Sequence, residues 1–176
     1  MRRHVLFAAL VVAWMLSGPG CGLKAGLSPS TPQAAFESVQ KAFAAGEFGA
    51  VYDAMSQSAQ TEFAASLKDM AEKSKDAPPL ARQLIGFDPV EVSKLPPREA
   101  FAAMMKAVRQ AGEKLGKALG GSGSKSVFEG STIKSCTIQG ERAELTVEYA
   151  SGSTGKVEMV REGGQWKLAA NPAGRR

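Results

Sequence analysis

The residue types that carry most enzyme chemistry are scarce in this chain. It holds two cysteines, Cys21 and Cys136, and a single histidine, His4. No cysteine pair has the spacing of thiolate zinc sites or thioredoxin-like redox centres. Once the segment that holds His4 is removed, no imidazole remains to act as a base or a metal ligand. These counts exclude Ser-His-Asp and Cys-His catalysis and leave only carboxylate chemistry, for which no motif is present.

Motifs for cofactors are missing as well. Neither of the glycine-rich phosphate-binding patterns, GxGxxG and GxxxxGK[ST], occurs in the sequence. Cys136 lies in a run with the pattern of a strand, and a lone cysteine in that setting is more often a small buried hydrophobe than a nucleophile. We therefore expect no cofactor and no bound metal.

The N-terminus predicts an export signal. Arg2 and Arg3 precede an apolar run of 12 residues, 5–16. The polar, helix-breaking residues 17–20 follow it and end the run. A membrane-spanning helix needs about 20 apolar residues. The shorter run is typical of the apolar part of a signal peptide. We predict that residues 1–20 are a signal peptide and that the chain is exported across a bacterial inner membrane.

Cys21 comes soon after this run, and the short segment 17–20, rich in small residues, separates the two. In this respect the sequence resembles bacterial lipoprotein precursors, whose cysteine is acylated and becomes the first residue after cleavage. Gly20 and Cys21 match that pattern, whereas Gly18 and Pro19 stand where the family usually has leucine and a small non-proline residue. The resemblance implies a lipid on Cys21 that anchors the protein to a membrane facing the periplasm. The alternative is ordinary cleavage near Gly20, which gives a soluble periplasmic or secreted protein with a free thiol at Cys21.

The remainder is predicted to be a short tether and one domain. Residues 21–30 are small, polar and turn-rich, and residues 31–176 are sufficient for a single domain with one core. The formal net charge of +5 falls to +3 when Arg2 and Arg3 are removed, and charges of both signs are interspersed. Because no basic stripe is present and the chain is exported, we expect no nucleic-acid partner.

The first part of the domain predicts helices. Thr31 and Pro32 are typical of a helix start, and Gly46 is typical of a helix end. Further helices are predicted over residues 47–55, 58–74, 80–87 and 97–119, with an extended or turned segment over 89–97. The apolar faces of the third helix and the long last helix hold Phe63, Leu67, Met70, Phe101, Met104, Met105, Val108, Ala111, Leu115 and Leu119.

The last part alternates with period two and predicts four strands. They span residues 132–138, 142–150, 156–161 and 165–170, and a loop over 151–155 joins the second to the third. One face of the resulting sheet holds Leu145, Val147, Val157, Met159, Trp166 and Leu168. An antiparallel meander must bury this face, so we predict an α+β fold with N-terminal helices packed on one face of a curved four-stranded antiparallel sheet.

Three segments carry a resemblance to a known superfamily. They are TPQAAFESVQKAFAAGEFGAVYDAM at 31–55, GERAELTVEY at 140–149 and GQWKL at 164–168. The sequence resembles small bacterial lipoproteins of the cystatin-like, nuclear-transport-factor-two-like superfamily, in the order of elements over residues 31–170. The resemblance implies helices and a concave sheet that form a cone. In that superfamily the cone is used for ketosteroid isomerisation, for polyketide cyclisation or for protein binding.

Two functions of different class follow. The first is a non-enzymatic envelope lipoprotein whose domain binds a protein partner or a small apolar ligand. The second is a ketosteroid-isomerase-like enzyme, in which a carboxylate shuttles a proton and a tyrosine hydroxyl stabilises the oxyanion. Its candidate residues are Asp53, Tyr52 and Tyr149. We favour the first function, because no convergent catalytic set can be recognised.

Overall fold

A computed structural model describes residues 30–75, 86–118 and 130–170. Within these ranges the fold is α+β, with helices followed by a four-stranded antiparallel sheet of order β1-β2-β3-β4, as predicted. The helices are α1 (Pro32–Ala45), α2 (Phe48–Asp53), α3 (Gln57–Ser74), α4 (Pro89–Val92) and α5 (Pro97–Ala118), and the strands are β1 (Thr132–Gln139), β2 (Arg142–Glu148), β3 (Thr154–Glu162) and β4 (Gln165–Leu168).

Several predictions fall outside the described residues. These are the signal peptide over 1–20, nearly all of the tether over 21–30, most of the short helix over 80–87, and the end of the long helix at Leu119. The division of the chain into signal peptide, tether and domain stays a prediction.

Helix α1 begins and ends where the sequence predicts. The Thr31 side chain accepts a hydrogen bond from the Ala34 N–H at 3.2 Å, and Pro32 occupies the first turn. At the other end Gly46 has a φ of +76°, in the left-handed region that glycine adopts without strain. The Glu47 N–H then donates to the Ala42 carbonyl at 2.8 Å. α2 begins at Phe48, directly after this helix end, and it packs with α1 in a shared apolar cluster.

Two glycine substitutions should shift stability in opposite directions. We expect Gly46→Ala to lower the free energy of unfolding by about 1 kcal/mol, because a Cβ is strained at positive φ. Gly112→Ala should raise it by about 0.5 to 1 kcal/mol, because Gly112 lies inside α5 and a Cβ there meets nothing within 4 Å. Urea unfolding of the two variants measures both effects. A stabilising Gly46→Ala would contradict the observed helix end.

The structure corrects three details of the predicted helices. α3 begins at Gln57, because the Ser56 hydroxyl caps it by accepting from the Ala59 N–H at 3.2 Å. Met70 was expected on the apolar face of α3, but it is 37% exposed, and Ala71 is buried in its place. The segment predicted to be extended contains α4, which starts where the Asp88 carboxylate accepts from the Val90 N–H at 2.9 Å.

The long helix α5 also buries less of its stripe than predicted. Val108 is 49% exposed, whereas Phe101 and Met105 are partly buried and pack against the cluster that α1 and α2 form. Ala100, near the start of α5, is fully buried and packs with Leu67 of α3. The first turns of α5 therefore anchor it to the other helices.

The main core lies between α1 and the sheet. Leu145 and Val147 of β2 and Met159 of β3 are almost completely buried, and they pack against Phe36 of α1. All six residues predicted to face the helices do so: Leu145, Val147, Val157, Met159, Trp166 and Leu168. In the sheet Leu145 pairs with Val157, and Met159 pairs with Leu168, so these side chains are neighbours on the same face.

The last strand is bonded to the helices as well as to the sheet. The Leu168 N–H donates to the Ala54 carbonyl, and the Ser56 N–H donates to the Leu168 carbonyl, both at 2.8 Å. β4 ends at Leu168, two residues earlier than predicted, although the Ala169 N–H still donates to the Glu158 carbonyl at 3.0 Å and so continues the β3–β4 register. The two bonds of Leu168 hold the connection between α2 and α3 against the edge of the sheet.

The loop before β3 lies two residues earlier than predicted. β2 ends at Glu148 and β3 starts at Thr154, so Tyr149 and Ala150 belong to the loop, and Thr154 and Gly155 belong to the strand. The Tyr149 N–H donates to the Ser153 carbonyl at 2.8 Å, which closes the turn. Tyr149 is therefore the first residue of this turn, directly after β2.

Candidate functional site

The predicted lipidation site, Cys21, lies outside the described residues. Lipid attachment to it stays a prediction. Within residues 30–75, 86–118 and 130–170, no helix combines the length and the apolar character that a membrane span requires.

Asp53, the candidate proton shuttle, is held in an ion pair. The Arg98 Nε donates to both carboxylate oxygens of Asp53, at 2.9 and 3.1 Å, and Nη2 donates to Oδ2 at 2.9 Å. Both side chains are more than half exposed. The hydrogen bond and the charge of Asp53 raise the pKa of Arg98. The carboxylate is thus bound to a permanent cation at the surface, where it joins α2 to α5.

Gly49 and Lys167 lie next to this ion pair. The Arg98 guanidinium lies over Gly49, where a Cβ would come within 2.8 Å of it. Lys167 of β4 donates to the Asp53 carbonyl at 2.7 Å, near the C-terminal end of α2. A cation at that end interacts favourably with the helix dipole. These contacts connect α2, α5 and β4. Asp53, Arg98 and Lys167 therefore have a structural role.

Tyr52 points away from Asp53 and into the helical layer. Its ring centroid lies 6.0 Å from that of Phe63 and 5.7 Å from that of Phe101, and those two rings are 5.2 Å apart at 79°. Tyr52 is 9% exposed. Edge-to-face contacts of this kind are typical of packed aromatic cores. The structure gives Tyr52 a packing partner on α3 and another on α5.

Tyr149 lies directly after β2, far from the helix that holds the other two candidates. Its ring covers Gly155 of β3, where a Cβ would approach the phenol oxygen to 2.5 Å. Partly buried, it packs at the border of the main core. Tyr52 is packed among helix aromatics, Asp53 is bound by Arg98, and Tyr149 stacks on a glycine. The described residues do not gather the three around a shared cavity.

The inner face of the sheet is filled by side chains. Phe36 is 0% exposed and packs with Leu145, Val147 and Met159, which are equally inaccessible. Two surface grooves, of about 550 and 450 Å³, lie elsewhere on the domain, and no residue of α1 lines either of them. The space between α1 and the sheet, where the resemblance implies a cone, is occupied by the core in the part of the chain that the structure describes.

A groove of about 550 Å³ lies on the opposite face of the sheet, and we call it the outer-face groove. Glutamates line it from α3 and from the strands: Glu62, Glu144, Glu158 and Glu162. Glu144 and Glu158 are direct cross-strand partners, and like charges opposite each other are destabilising. Lys156 relieves part of this repulsion with a 2.8 Å ion pair to Glu144.

Some of these carboxylates have structural roles. Glu162 accepts from the Gln57 N–H at 3.0 Å, at the N-terminal end of α3, where a negative charge is favourable. The hydrogen bond with Glu144 raises the pKa of Lys156. The alternation of strands 142–148 and 154–162 predicts that these side chains share a face, but the sequence does not show that α3 borders it. Sequence reasoning missed this groove for that reason.

A second groove of about 450 Å³ lies between α3 and the segment from α4 to the start of α5. We call it the helical groove. Its lining combines apolar side chains with three lysines, Lys68, Lys75 and Lys94, and with Glu72, which forms an ion pair with Lys75. It too was missed, because the sequence does not fix how α3 and α4 face each other.

Cys136 is a partly buried residue of β1. It lies opposite Leu145 and packs against the main core. Burial raises the pKa of its thiol. A higher pKa leaves less of the nucleophilic thiolate at neutral pH, which agrees with the expectation that Cys136 is a small hydrophobe in a strand.

The reactivity of Cys136 should therefore be low in the folded chain. We expect iodoacetamide to alkylate Cys136 more slowly in the native protein than in guanidinium chloride at pH 8, with peptide mass spectrometry assigning the modified residue. Because the folded chain holds the thiol proton more tightly, Cys136 adds stability below the ordinary thiol pKa and loses it as pH rises towards the folded value. Equal alkylation rates in both states would contradict the observed burial.

The comparisons add no family to this picture. The chain shows no significant match to a protein-family model, to a curated protein or to a solved structure. Within the described ranges, no three His, Cys, Asp or Glu side chains are grouped closely enough to hold a metal ion.

Proposed function

We propose that this protein is an envelope lipoprotein, anchored through lipid on Cys21 to a membrane that faces the periplasm, with a non-enzymatic binding or structural domain. The observation that carries the proposal is the position of Cys21. It follows an apolar run of signal-peptide length and small residues directly, in a chain with only one other cysteine. Anchoring and binding need no convergent catalytic set.

We also propose that the domain belongs to the cystatin-like, nuclear-transport-factor-two-like superfamily. Support comes from the order of the elements, with helices first and a four-stranded antiparallel meander last. α1 packs across the sheet through Phe36 and Ala35. Hydrogen bonds from the β4 edge to the α2–α3 connection add to that support.

The placement of the candidate residues favours binding over catalysis. A general base must lie within hydrogen-bond reach of the proton that it removes, in a site that a substrate can enter. Asp53 instead faces Arg98 at 2.9 Å, and Tyr52 packs against Phe63 and Phe101. Ketosteroid-isomerase-like chemistry would need a carboxylate and a phenol in one pocket, and these side chains point to different neighbours.

Metabolic labelling with an alkyne-bearing fatty acid tests the anchor. The full chain, expressed in a Gram-negative host, should incorporate the label, and Cys21→Ser should abolish incorporation. Cys136→Ser is the matched control, because it removes the other thiol and should leave the label in place. Label that persists in Cys21→Ser, or that is missing from the wild type, would contradict the proposal.

A further inference from the structure

The helical groove has an apolar floor. On the α3 side it is formed by Ala64, Leu67 and Ala71, which lie on one helix face; Ala64 is partly exposed, whereas Leu67 and Ala71 are buried beneath the floor. Val90 and Leu95 form the facing wall, and Leu95 is 40% exposed. A volume of about 450 Å³ lies within the range of about 300 to 1,000 Å³ that is typical of small-molecule sites.

Cations flank this floor on both sides. Lys68 and Lys75 project from α3, and Lys94 belongs to the facing segment. Lys75 bonds to Glu72 at 2.7 Å and Lys94 to Glu91 at 2.7 Å, and all four of these side chains are at least half exposed. Exposed pairs of this kind contribute little, so their ammonium groups can turn to another anion.

Lys68 differs from the other two lysines. Among the residues that the structure describes, no carboxylate pairs with it. It is exposed and lies one turn after Ala64 in the groove lining, so its stem can cover apolar surface while its charge stays in water. An anion at the mouth of the groove would meet Lys68 without first breaking an ion pair.

From this combination we infer that the helical groove binds a free long-chain anionic amphiphile, with the chemistry of a fatty acid. The alkyl chain lies against Ala64, Val90 and Leu95, the lining apolar residues that keep exposed surface, and the carboxylate accepts hydrogen bonds from Lys68 and Lys94. The inference rests on the proposed function only in taking the domain as a binding module. It names a ligand class and a site that lies apart from the inner face of the sheet.

Photocrosslinking of the full chain tests this inference. The probe is a palmitate analogue that carries a diazirine and an alkyne, and peptide mass spectrometry locates the adduct. We expect adducts within residues 64–75 and 90–97. Unlabelled palmitate should compete, and hexadecanol, which has the same chain without the charge, should compete about tenfold less well.

Matched variants separate the charges from the floor. Lys68→Glu combined with Lys94→Glu should lower the adduct yield about tenfold or more, while the control pair Lys41→Glu and Lys106→Glu, on exposed positions of α1 and α5, should leave it unchanged. Leu95→Gln changes the exposed wall without touching the buried core, and it should also lower the yield. Circular dichroism verifies that each variant is folded.

Other results would overturn the inference. These are equal competition by hexadecanol, adducts spread over the surface, an unchanged yield in the lysine double variant, or displacement by phosphatidylglycerol vesicles but not by palmitate. The test is independent of the anchor, because Cys21→Ser should keep the groove adduct. Loss of fatty-acid labelling at Cys21 and loss of the groove adduct therefore report separate failures.

Discussion

Trp166→Ala should lower the free energy of unfolding by about 3 to 5 kcal/mol, the usual cost of removing a large buried aromatic side chain. Trp166 is 6% exposed and belongs to the core cluster that also contains Phe36 and Met159. Its strand, β4, has four residues and carries the hydrogen bonds from Leu168 to the α2–α3 connection. A cavity at Trp166 would weaken the packing of the sheet against α1 and against the α2–α3 connection.

Chemical denaturation followed by far-ultraviolet circular dichroism measures this effect. Fluorescence is unsuitable, because the variant loses the tryptophan of the domain. Val108→Ala is the matched control: Val108 is also a large apolar residue but is 49% exposed, so its loss should change the free energy by no more than about 0.5 kcal/mol. A near-neutral Trp166→Ala would place the indole outside the core and contradict the observed packing.

The sheet could be predicted from the sequence because its signal is local. Period-two alternation places Leu145 and Val147 on one face of β2, and Gly140 supports the tight turn before it with a φ of +60°. Only one face of such a meander can be buried against helices. These facts fix which side chains of the strands face the helices without knowledge of any distant residue.

The buried faces of the helices were harder to predict. In α3, Leu67, Met70 and Ala71 are neighbours on the helix surface, and which of them is buried depends on where α4 and α5 pack. The structure buries Leu67 and Ala71 and exposes Met70. For the same reason Val108 was placed in the core although the anchored part of α5 is its start, around Ala100.

The surroundings of the candidate residues depend on long-range contacts. Arg98 lies 45 positions after Asp53, and Lys167 lies 114 positions after it. No spacing rule relates them. The two grooves likewise form between elements that are distant in sequence, so composition could suggest a binding domain but could not locate its surfaces.

Cys21→Ser should move the protein from the membrane fraction to the soluble fraction while the domain stays folded. One acyl chain gives only marginal membrane binding, but several chains, at about 0.8 kcal/mol per buried methylene, make release negligible. Bacterial lipoproteins, which the N-terminus resembles, carry a diacylglyceryl thioether and often an N-acyl chain. The net charge of the remaining chain is too small and too mixed to replace them.

Fractionation of cells that express each variant measures this change. Membranes are washed with sodium carbonate and with high salt, so that only anchored protein remains. Cys136→Ser is the control and should stay with the membranes. Wild-type protein that is released by these washes would contradict the lipid anchor, and so would a Cys21→Ser variant that remains bound.

The central claim is that Cys21 is the acylated first residue of the mature protein, and intact-mass spectrometry of the chain purified from its native membranes tests it most directly. The proposal predicts the mass of residues 21–176 increased by a diacylglyceryl group, with or without an N-acyl chain, and fragments that place the whole increment on Cys21. An unmodified chain that starts near residue 21 and whose Cys21 thiol reacts with a maleimide would contradict the claim.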